Sequence, residues 1–186
     1  KEDPRMIVAA DGVYFIDDKG RRILDGLSGL WCSGAGHNRP EITEAVTRQL
    51  QTLDYSPAFQ FGHPKSFELA NRIKSLTPEG LDYVFYTNSG SECADTALKM
   101  ARAYWRLKGQ PAKTKLIGRV KGYHGVNFGG IAVGGIAANR KLFGQGVDAD
   151  HLAHTLLPEN MFTRGMPHHG WHLADELSEI IALHDA

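Results

Sequence analysis

The first quarter of the chain opens with short apolar runs separated by turn residues, a pattern that predicts three antiparallel strands. The strands are expected at 6–9, 13–16 and 22–25. Asp11-Gly12 lies between the first two, and this dipeptide favours a type I′ hairpin turn. Strand, turn, strand, turn and strand in this order predict a small β-meander.

Two helices are predicted after the meander, from apolar residues that recur three or four positions apart. Pro40 suits the first turn of one helix, because a backbone N–H is not needed there. The second helix is expected to end before Thr77-Pro78, since helical geometry is disfavoured before proline. The apolar positions are Ile42, Ala45, Val46 and Leu50 in the first helix and Phe67, Ala70, Ile73 and Leu76 in the second.

The second half of the chain has the order strand, loop, long helix, strand, which is typical of α/β folds. Residues 83–87 are aromatic and β-branched and predict a strand. A long helix is expected to follow, with Gly109 well placed to end it. The next strand is predicted at 115–120. A crossover of this length permits parallel pairing of the two strands.

The last part of the chain is divided into an irregular segment and a helix. Residues 139–170 show weak periodicity and many Gly, His and Pro residues, which predicts an irregular excursion. Residues 173–184 then carry apolar side chains at helical spacing. We therefore expect a final amphipathic helix there.

Composition excludes several classes of protein. The 186 residues carry 21 basic and 21 acidic side chains, and a formal net charge of zero argues against binding to nucleic acid or an anionic membrane. No apolar run approaches the roughly 18 residues of a membrane span, and the polar first residues do not resemble a secretory signal. Cys32 and Cys93 form no zinc or disulfide pattern. We expect a cytoplasmic protein without a bound metal.

Many of the 21 glycines cluster at 26–36, 118–135 and 144–146, and the first cluster surrounds a tryptophan. Small residues beside Trp31 indicate one of two arrangements. Either this is a surface loop with a packed anchor, or the loop lets an aromatic wall approach a ligand. The spacing alone supports both interpretations equally.

A candidate phosphate site lies at Ser89, Gly90 and Ser91, just before the long helix. The first turn of a helix has unpaired N–H groups and a partial positive charge, and serine hydroxyls can donate to phosphate oxygens. The alternative is that one serine is simply the N-cap. The chain has no GxxxxGK[ST] loop, and Arg39 stands where a dinucleotide fingerprint needs its third glycine. Neither ATP nor NAD is therefore indicated.

A candidate stacking residue, Tyr123, lies with His124 between two glycines after the strand predicted at 115–120. Ligands of open α/β sheets bind at the carboxyl ends of the strands, and a flat aromatic side chain there can stack on a ring. Taken alone, the pair is better explained as ordinary loop residues. Combined with a phosphate site at a neighbouring strand end, it indicates a phosphorylated aromatic ring. Pyridoxal 5'-phosphate (PLP), which supplies an electron sink, fits this description.

These segments resemble the class III (ω-type) PLP-dependent aminotransferases of fold type I, and most of all the β-alanine:pyruvate (ω-amino acid:pyruvate) group. The resemblance covers essentially the whole chain. Asn88-Ser89-Gly90-Ser91-Glu92 and Gly122-Tyr123-His124-Gly125 are specific in combination at this separation. Further matching segments are 25–32, 53–55, 102–105 and 118–121.

The resemblance implies an α/β fold of the aspartate-aminotransferase type. Residues 1–50, the meander and a helix, would belong to the small domain. Residues 51–186 would form the first part of an incomplete large PLP-binding domain.

The resemblance also implies roles for individual residues. Cofactor binding would fall to Ser89, Gly90 and Ser91 at the phosphate, to Tyr123 on the pyridine ring, and to His124 beside it. Trp31 would form one wall of the substrate pocket and Phe59 another, with Cys32 a neighbour and not a nucleophile.

No catalytic residue is expected in this chain. By the resemblance, the Schiff-base lysine and the aspartate that pairs with the pyridine nitrogen lie beyond Ala186. The 186 residues alone are therefore expected to be inactive. The parent enzyme (EC 2.6.1 type) would move an amino group between an ω-amino acid such as β-alanine, or an amine, and pyruvate, as a homodimer or homotetramer.

Two alternatives stay open at this point. Another class III enzyme, an ornithine-type aminotransferase or an aminomutase, would use the same scaffold. A donor panel of β-alanine, ornithine and glutamate semialdehyde would separate these enzymes. The other alternative is a non-catalytic binding or interaction module that is complete as a stable monomer. The small number of evident strands for a parallel sheet counts against this module.

Overall fold

A computed structural model describes residues 5–144 and 146–184. The chain divides between Tyr83 and Val84 into two compact units, and each is described by itself. This division lies well after residue 50, and the assignment of 1–50 and 51–186 to the domains of a larger enzyme stays a prediction. Gln145, in the segment predicted as irregular, lies outside the described residues.

The first unit begins with the predicted meander. Strands β1 (Ile7–Asp11), β2 (Tyr14–Asp17) and β3 (Arg22–Leu24) pair antiparallel in that order. The predicted turn type was wrong. Asp11 pairs with Tyr14, so Gly12 and Val13 form the turn, and only Gly12 has a positive φ, of 57°. A type I′ turn needs positive φ at both central residues.

Two helices complete the first unit, as predicted. Helix α1 (Pro40–Thr52) begins at the proline, and α2 (Pro64–Lys74) is capped by His63, whose Nδ1 accepts a hydrogen bond from Lys65 N. Helix α2 ends earlier than predicted and leaves Leu76 outside it. The Leu76 N–H donates to Ile73 O at 2.9 Å, and such a three-residue bond tightens and closes the last turn.

The second unit contains the predicted long helix and the strand after it. Helix α3 (Gly90–Leu107) has Ser89 as its N-cap. Gly109, with a φ of 75°, follows its C-terminus, as expected of a residue that ends a helix. The chain then enters strand β4 (Leu116–Val120).

Strand β4 is the centre of a three-stranded parallel sheet. It pairs with β5 (Gly134–Gly135) on one side and with β6 (Ala149–Leu152) on the other. The connections run through helices α4 (Phe128–Val133) and α5 (Ala137–Lys141). The parallel α/β character is thus as predicted, although the strands that pair with β4 were not.

Two strand assignments from the sequence were wrong. Residues 83–87 form no strand, because a strand needs a paired neighbour and no described strand pairs with this segment. The segment 139–170 was expected to be irregular but contains β6. Its sequence, Ala-Asp-His-Leu, has neither β-branched residues nor clean alternation, so its pairing with β4 determines its structure.

The last described helix is α6 (Asp175–Leu183), where a helix was predicted, and it follows a short 3-10 helix. A hydrogen bond joins the C-cap residue of α6 to the amino end of the sheet, and an ion pair there joins the residues that precede β4 and β6. His184 Nε2 lies 2.6 Å from Asp150 Oδ2, and Lys115 Nζ lies 2.7 Å from Asp148 Oδ1. The hydrogen bond to Asp148 raises the pKa of Lys115. Burial pushes the pKa of Asp150 upwards, but hydrogen bonds from His184 and Lys115 outweigh it and hold that pKa below its ordinary value.

The buried core of the second unit consists of small residues. Among the described residues, its buried apolar side chains are Ala132, Val133 and Ala149. A Cβ added to Gly118 would overlap the carbonyl oxygen of Val133, so the backbone of β4 lies directly against the α4–β5 connection. The glycine cluster at 118–135 therefore allows backbones to pack closely around the sheet.

Among the described residues, no helix is both long and apolar enough to cross a bilayer. The same residues contain no cluster of three or more His, Cys, Asp or Glu side chains that could hold a metal ion.

Candidate functional site

The N-terminus of α3 is closed on one side by its own side chains. Ser89 Oγ accepts a hydrogen bond from Glu92 N at 3.2 Å, and Glu92 Oε2 accepts one from Asn88 N at 2.8 Å. Ser89 is therefore an N-cap, which the sequence left open as an alternative to phosphate binding. Within the described part of the chain, the N–H groups of Gly90 and Ser91 have no protein acceptor. These two donors, at the positive end of the helix dipole, are available to an anion.

The loop after β4 turns sharply and is fixed to β5. Lys121 has a φ of 67°, unusual for a residue with a side chain, and its N–H donates to Gly135 O at 3.0 Å. The N–H of Gly135 in turn donates to Gly122 O at 2.8 Å. Tyr123 and His124 therefore begin a loop at the carboxyl end of a parallel strand, where ligands of such sheets bind.

The loop after β4 and the N-terminus of α3 are in direct contact. The N–H of Val126 donates to Ser91 Oγ at 3.1 Å. Gly125 has a φ of 110°, and a Cβ added there would lie 2.7 Å from Ser91 Cα. Only glycine allows this approach. The Ser91 hydroxyl accepts this bond and still has its own hydrogen to donate.

A second contact holds the same two elements together. Asp95 Oδ1, one turn after Ser91 on α3, accepts a hydrogen bond from Gly130 N at 2.8 Å. Sequence reasoning missed Asp95. The available signal was its spacing, because Ser91 and Asp95 are four residues apart and so share one face of the helix. The two contacts fix the first turns of α3 against the loop after β4 and against the start of α4.

Two clefts border this junction. One is lined by Tyr123 and His124 together with Asn139, which sequence reasoning also missed. The other has a volume of about 420 Å³. It is lined mainly by residues that precede and begin α3: Phe85, Tyr86, Thr87, Asn88, Glu92, Asp95, Thr96, Lys99 and Asn127. The structure thus brings together five of the seven predicted site residues: Ser89, Gly90, Ser91, Tyr123 and His124.

The other two predicted site residues, Trp31 and Phe59, belong to the first unit. Both side chains are highly exposed, Trp31 by 80% and Phe59 by 87%. Trp31 is therefore not a packed anchor of its loop, which was one of the two interpretations of the sequence.

Comparison with known proteins decides the family. The family model described as Aminotransferase class-III matches residues 1–181. The chain belongs to the class III aminotransferases. This confirms the resemblance drawn from the sequence motifs.

Curated class III relatives are similar along the whole of this chain. It is 65% identical over 187 aligned positions to the β-alanine–pyruvate aminotransferase of Pseudomonas aeruginosa, covering 100% of this chain and 42% of the relative. It is 64% identical over 186 positions to the ω-amino acid–pyruvate aminotransferase of Pseudomonas putida, covering 99% and 41%. The chain thus spans about two-fifths of the length of these relatives.

Solved transaminases share the fold. An (S)-enantioselective ω-transaminase from Thermomicrobium roseum matches with a TM-score of 0.88 at 35% identity, over 98% of this chain and 41% of that one. An amine transaminase from an uncultivated Pseudomonas species, solved in its PLP-bound form, matches with a TM-score of 0.81 at 33% identity, over 97% and 42%. The predicted fold class is confirmed, and the chain covers only part of that fold.

Proposed function

We propose that this chain is the N-terminal, cofactor-binding part of a longer PLP-dependent aminotransferase (EC 2.6.1 type). The enzyme would move an amino group between an ω-amino acid such as β-alanine, or an amine, and pyruvate. The observation that carries the proposal is the contact between Ser91 and the Tyr123 loop, which joins an anion-binding helix end to an aromatic side chain. The 65% identity to a β-alanine–pyruvate aminotransferase supports the choice of substrates.

The phosphate of PLP would bind at the N-terminus of α3. The free N–H groups of Gly90 and Ser91 would donate to its oxygens, and so would the Ser91 hydroxyl. The Ser89 hydroxyl oxygen already accepts a hydrogen bond from Glu92 N, so Ser89 would bind the phosphate by donating its hydroxyl hydrogen. Several aligned donors at a helix end suit a doubly charged phosphate.

The ring of PLP would lie on Tyr123, with His124 beside it. Tyr123 is half exposed and lines the cleft next to the helix end, so its ring is accessible for stacking. When bound, PLP supplies the electron sink that lets an amino group be transferred. The residues of this chain would hold and orient the cofactor while groups elsewhere in the enzyme move protons.

The substrate pocket would take Trp31 and Phe59 as walls, in line with the family resemblance. Their high exposure in this chain leaves both side chains available to a ligand or to the rest of the enzyme. Cys32 would be a neighbour of the pocket without a chemical role.

The rest of the polypeptide and a second subunit would complete the active site. None of the six lysines between residues 99 and 141 stands in the sequence context of the family's covalent lysine, so we propose that the 186 residues alone do not turn over substrate. Large apolar side chains that the described chain leaves exposed, such as Leu50, Tyr83 and Phe85, support further covering surfaces. We expect the enzyme to act as a homodimer or homotetramer in the cytoplasm.

Replacing Ser91 by alanine in the full-length enzyme, the longer polypeptide that contains this chain, is expected to weaken PLP binding about tenfold or more. A hydrogen bond to a charged group contributes about 1.5–3 kcal/mol, and the substitution removes one from the phosphate. Titration of the apoenzyme with PLP, followed by cofactor absorbance, measures the change.

The same titration with pyridoxal, which has no phosphate, is the internal control and should change little. Ser75→Ala is the matched protein control, because the Ser75 hydroxyl only closes the end of α2 on Arg72 O. Equal PLP affinity for Ser91→Ala and the unsubstituted enzyme would exclude a phosphate site at Ser91.

A further inference from the structure

The loop that carries Trp31 contains one turn of left-handed backbone. The φ angles of Ser28, Gly29, Leu30 and Trp31 are 51°, 60°, 56° and 70°. The Trp31 N–H donates to Leu27 O at 3.0 Å, and the Ser33 N–H donates to Ser28 O at 2.8 Å. Left-handed geometry costs roughly 1–2 kcal/mol for each residue with a side chain, so such runs are rare. Something outside the turn must stabilise this one.

The stabilising group is the buried carboxylate of Asp25, at the start of the loop. Its Oδ2 accepts hydrogen bonds from Gly29 N at 2.6 Å and His37 Nε2 at 2.8 Å, and its Oδ1 accepts one from Leu27 N at 3.1 Å. The Asp25 side chain is only 5% exposed. Burial pushes the pKa of Asp25 upwards, but these hydrogen bonds, led by that from His37, hold it below its ordinary value. The group is therefore a carboxylate at neutral pH.

His37 connects the far end of the loop to the meander. Its N–H donates to Gly12 O at 2.7 Å, and its carbonyl accepts from Gly12 N at 3.2 Å. Its ring lies 4.6 Å from that of Phe15. The bond between His37 and Asp25 thus closes the loop 26–36 on the β1–β2 hairpin.

The strained turn buries little of what it carries. Trp31 is 80% exposed and Leu30 is 61% exposed, so packing within this unit does not account for the strain. Strain that persists without burial is typical of segments that present a side chain to a ligand or a neighbouring surface.

We propose that Asp25 and His37 are positioning residues that fix the left-handed turn and thereby set the place of Trp31, which decides which amino donors the enzyme accepts. This inference rests on the proposed function and adds a determinant of donor specificity. Neither residue touches the donor itself. Both act through the backbone N–H of Gly29 and the closure of the loop.

The test uses donor selectivity of the full-length enzyme, the ratio of kcat/KM for an aryl-substituted amine to that for β-alanine. Asp25→Asn replaces one acceptor oxygen by an amide donor, which faces either both Gly29 N and His37 Nε2 or, in the other orientation, Leu27 N. We expect the ratio to change about tenfold, in the same direction as with Trp31→Ala. The change is expected mainly in the KM values of the donors.

Asp17→Asn is the matched control. Asp17 is also buried and accepts backbone hydrogen bonds from Lys19 N and Arg21 N, but it organises the β2–β3 turn. Its replacement should lower Tm and leave the selectivity ratio unchanged. His37→Ala should shift the ratio as Asp25→Asn does, whereas His37→Gln, which keeps a donor for Asp25, should restore it at least in part.

A second measurement is independent of activity. The enzyme is labelled with 5-fluorotryptophan, and the 19F signal of Trp31 is assigned as the one that the Trp31→Phe variant lacks. In the Asp25→Asn and His37→Ala variants, this signal should move or broaden. In the Asp17→Asn variant, it should do neither. A lowered Tm in the Asp25 and His37 variants with an unchanged selectivity ratio and an unchanged Trp31 signal would overturn the proposal. Failure of the proposed function is distinct, because the unsubstituted enzyme would then not aminate pyruvate.

Discussion

Replacing Gly125 by alanine is expected to weaken PLP binding by the full-length enzyme about 100-fold. The new Cβ would lie 2.7 Å from Ser91 Cα and 2.8 Å from Ser91 Oγ, so the Tyr123 loop and α3 would have to separate. The φ of 110° at this position adds backbone strain for any residue other than glycine. Overpacking costs about 1–3 kcal/mol, and about 3 kcal/mol corresponds to a little over 100-fold in affinity.

Gly144→Ala is the control for this variant. Gly144 also has a positive φ, of 74°, but a Cβ added there meets no atom within 4 Å. It therefore carries the cost of the backbone conformation without the collision. PLP titration and thermal unfolding of both variants separate a damaged site from general instability. Equal PLP affinity in the two variants would show that the contact between Gly125 and Ser91 does not form the cofactor site.

Gly118→Ala is expected to destabilise the parallel sheet by about 3 kcal/mol or more. An added Cβ would overlap the carbonyl oxygen of Val133, and backbone cannot move aside as a flexible side chain can. The neighbouring pair Arg119–Gly134 joins β4 to β5, so relief of the collision would break that pairing. Overpacking of a tight core costs about 1–3 kcal/mol, and loss of strand pairing adds to it. Urea unfolding measures the difference.

Gly34→Ala is the comparison for this second variant. Gly34 has no positive φ, and a Cβ added there meets nothing within 4 Å. The stability of the Gly34→Ala variant should equal or slightly exceed that of the unsubstituted protein, because alanine restricts the conformations of the unfolded chain. Equal midpoints of urea unfolding for Gly118→Ala and Gly34→Ala would show that β4 does not pack closely on the α4–β5 connection.

Local patterns in the sequence predicted those elements that local forces determine. The meander follows from short apolar runs with turn signals at Asp11-Gly12 and 17–20, and α1 and α3 follow from apolar spacing and from their end residues. The type I′ turn failed because the pairing of Asp11 with Tyr14 moved the turn one residue along, to Gly12 and Val13. That register is set by the pairing of two strands, which the dipeptide alone does not encode.

Strand pairing could not be predicted in the second unit. Residues 83–87 have strong β-forming side chains, yet no described strand pairs with them, whereas β6 has weak ones and pairs with β4 over four residues. A strand depends on its neighbours, which come from distant parts of the chain. Propensity alone therefore gave the wrong answer in both places.

The candidate site was predictable in its parts but not in its assembly. The Ser-Gly-Ser motif and the Tyr-His pair could be read from the sequence as helix end and strand end. The bonds that join them, Ser91 to Val126 and Asp95 to Gly130, each span 35 residues. Contacts between residues so far apart in sequence depend on how α3, α4 and β4 pack together. No local sequence pattern predicts that packing.

Amination of pyruvate by β-alanine, measured side by side for the full-length enzyme and for the 186-residue chain with PLP present, tests the central claim most directly. We expect PLP-dependent formation of alanine by the full-length enzyme and none by the 186-residue chain, which would hold the cofactor but provide no group to move the proton. Alanine formed by the 186-residue chain alone, or no alanine from the full-length enzyme, would contradict the assignment of this chain as the cofactor-binding part of an aminotransferase.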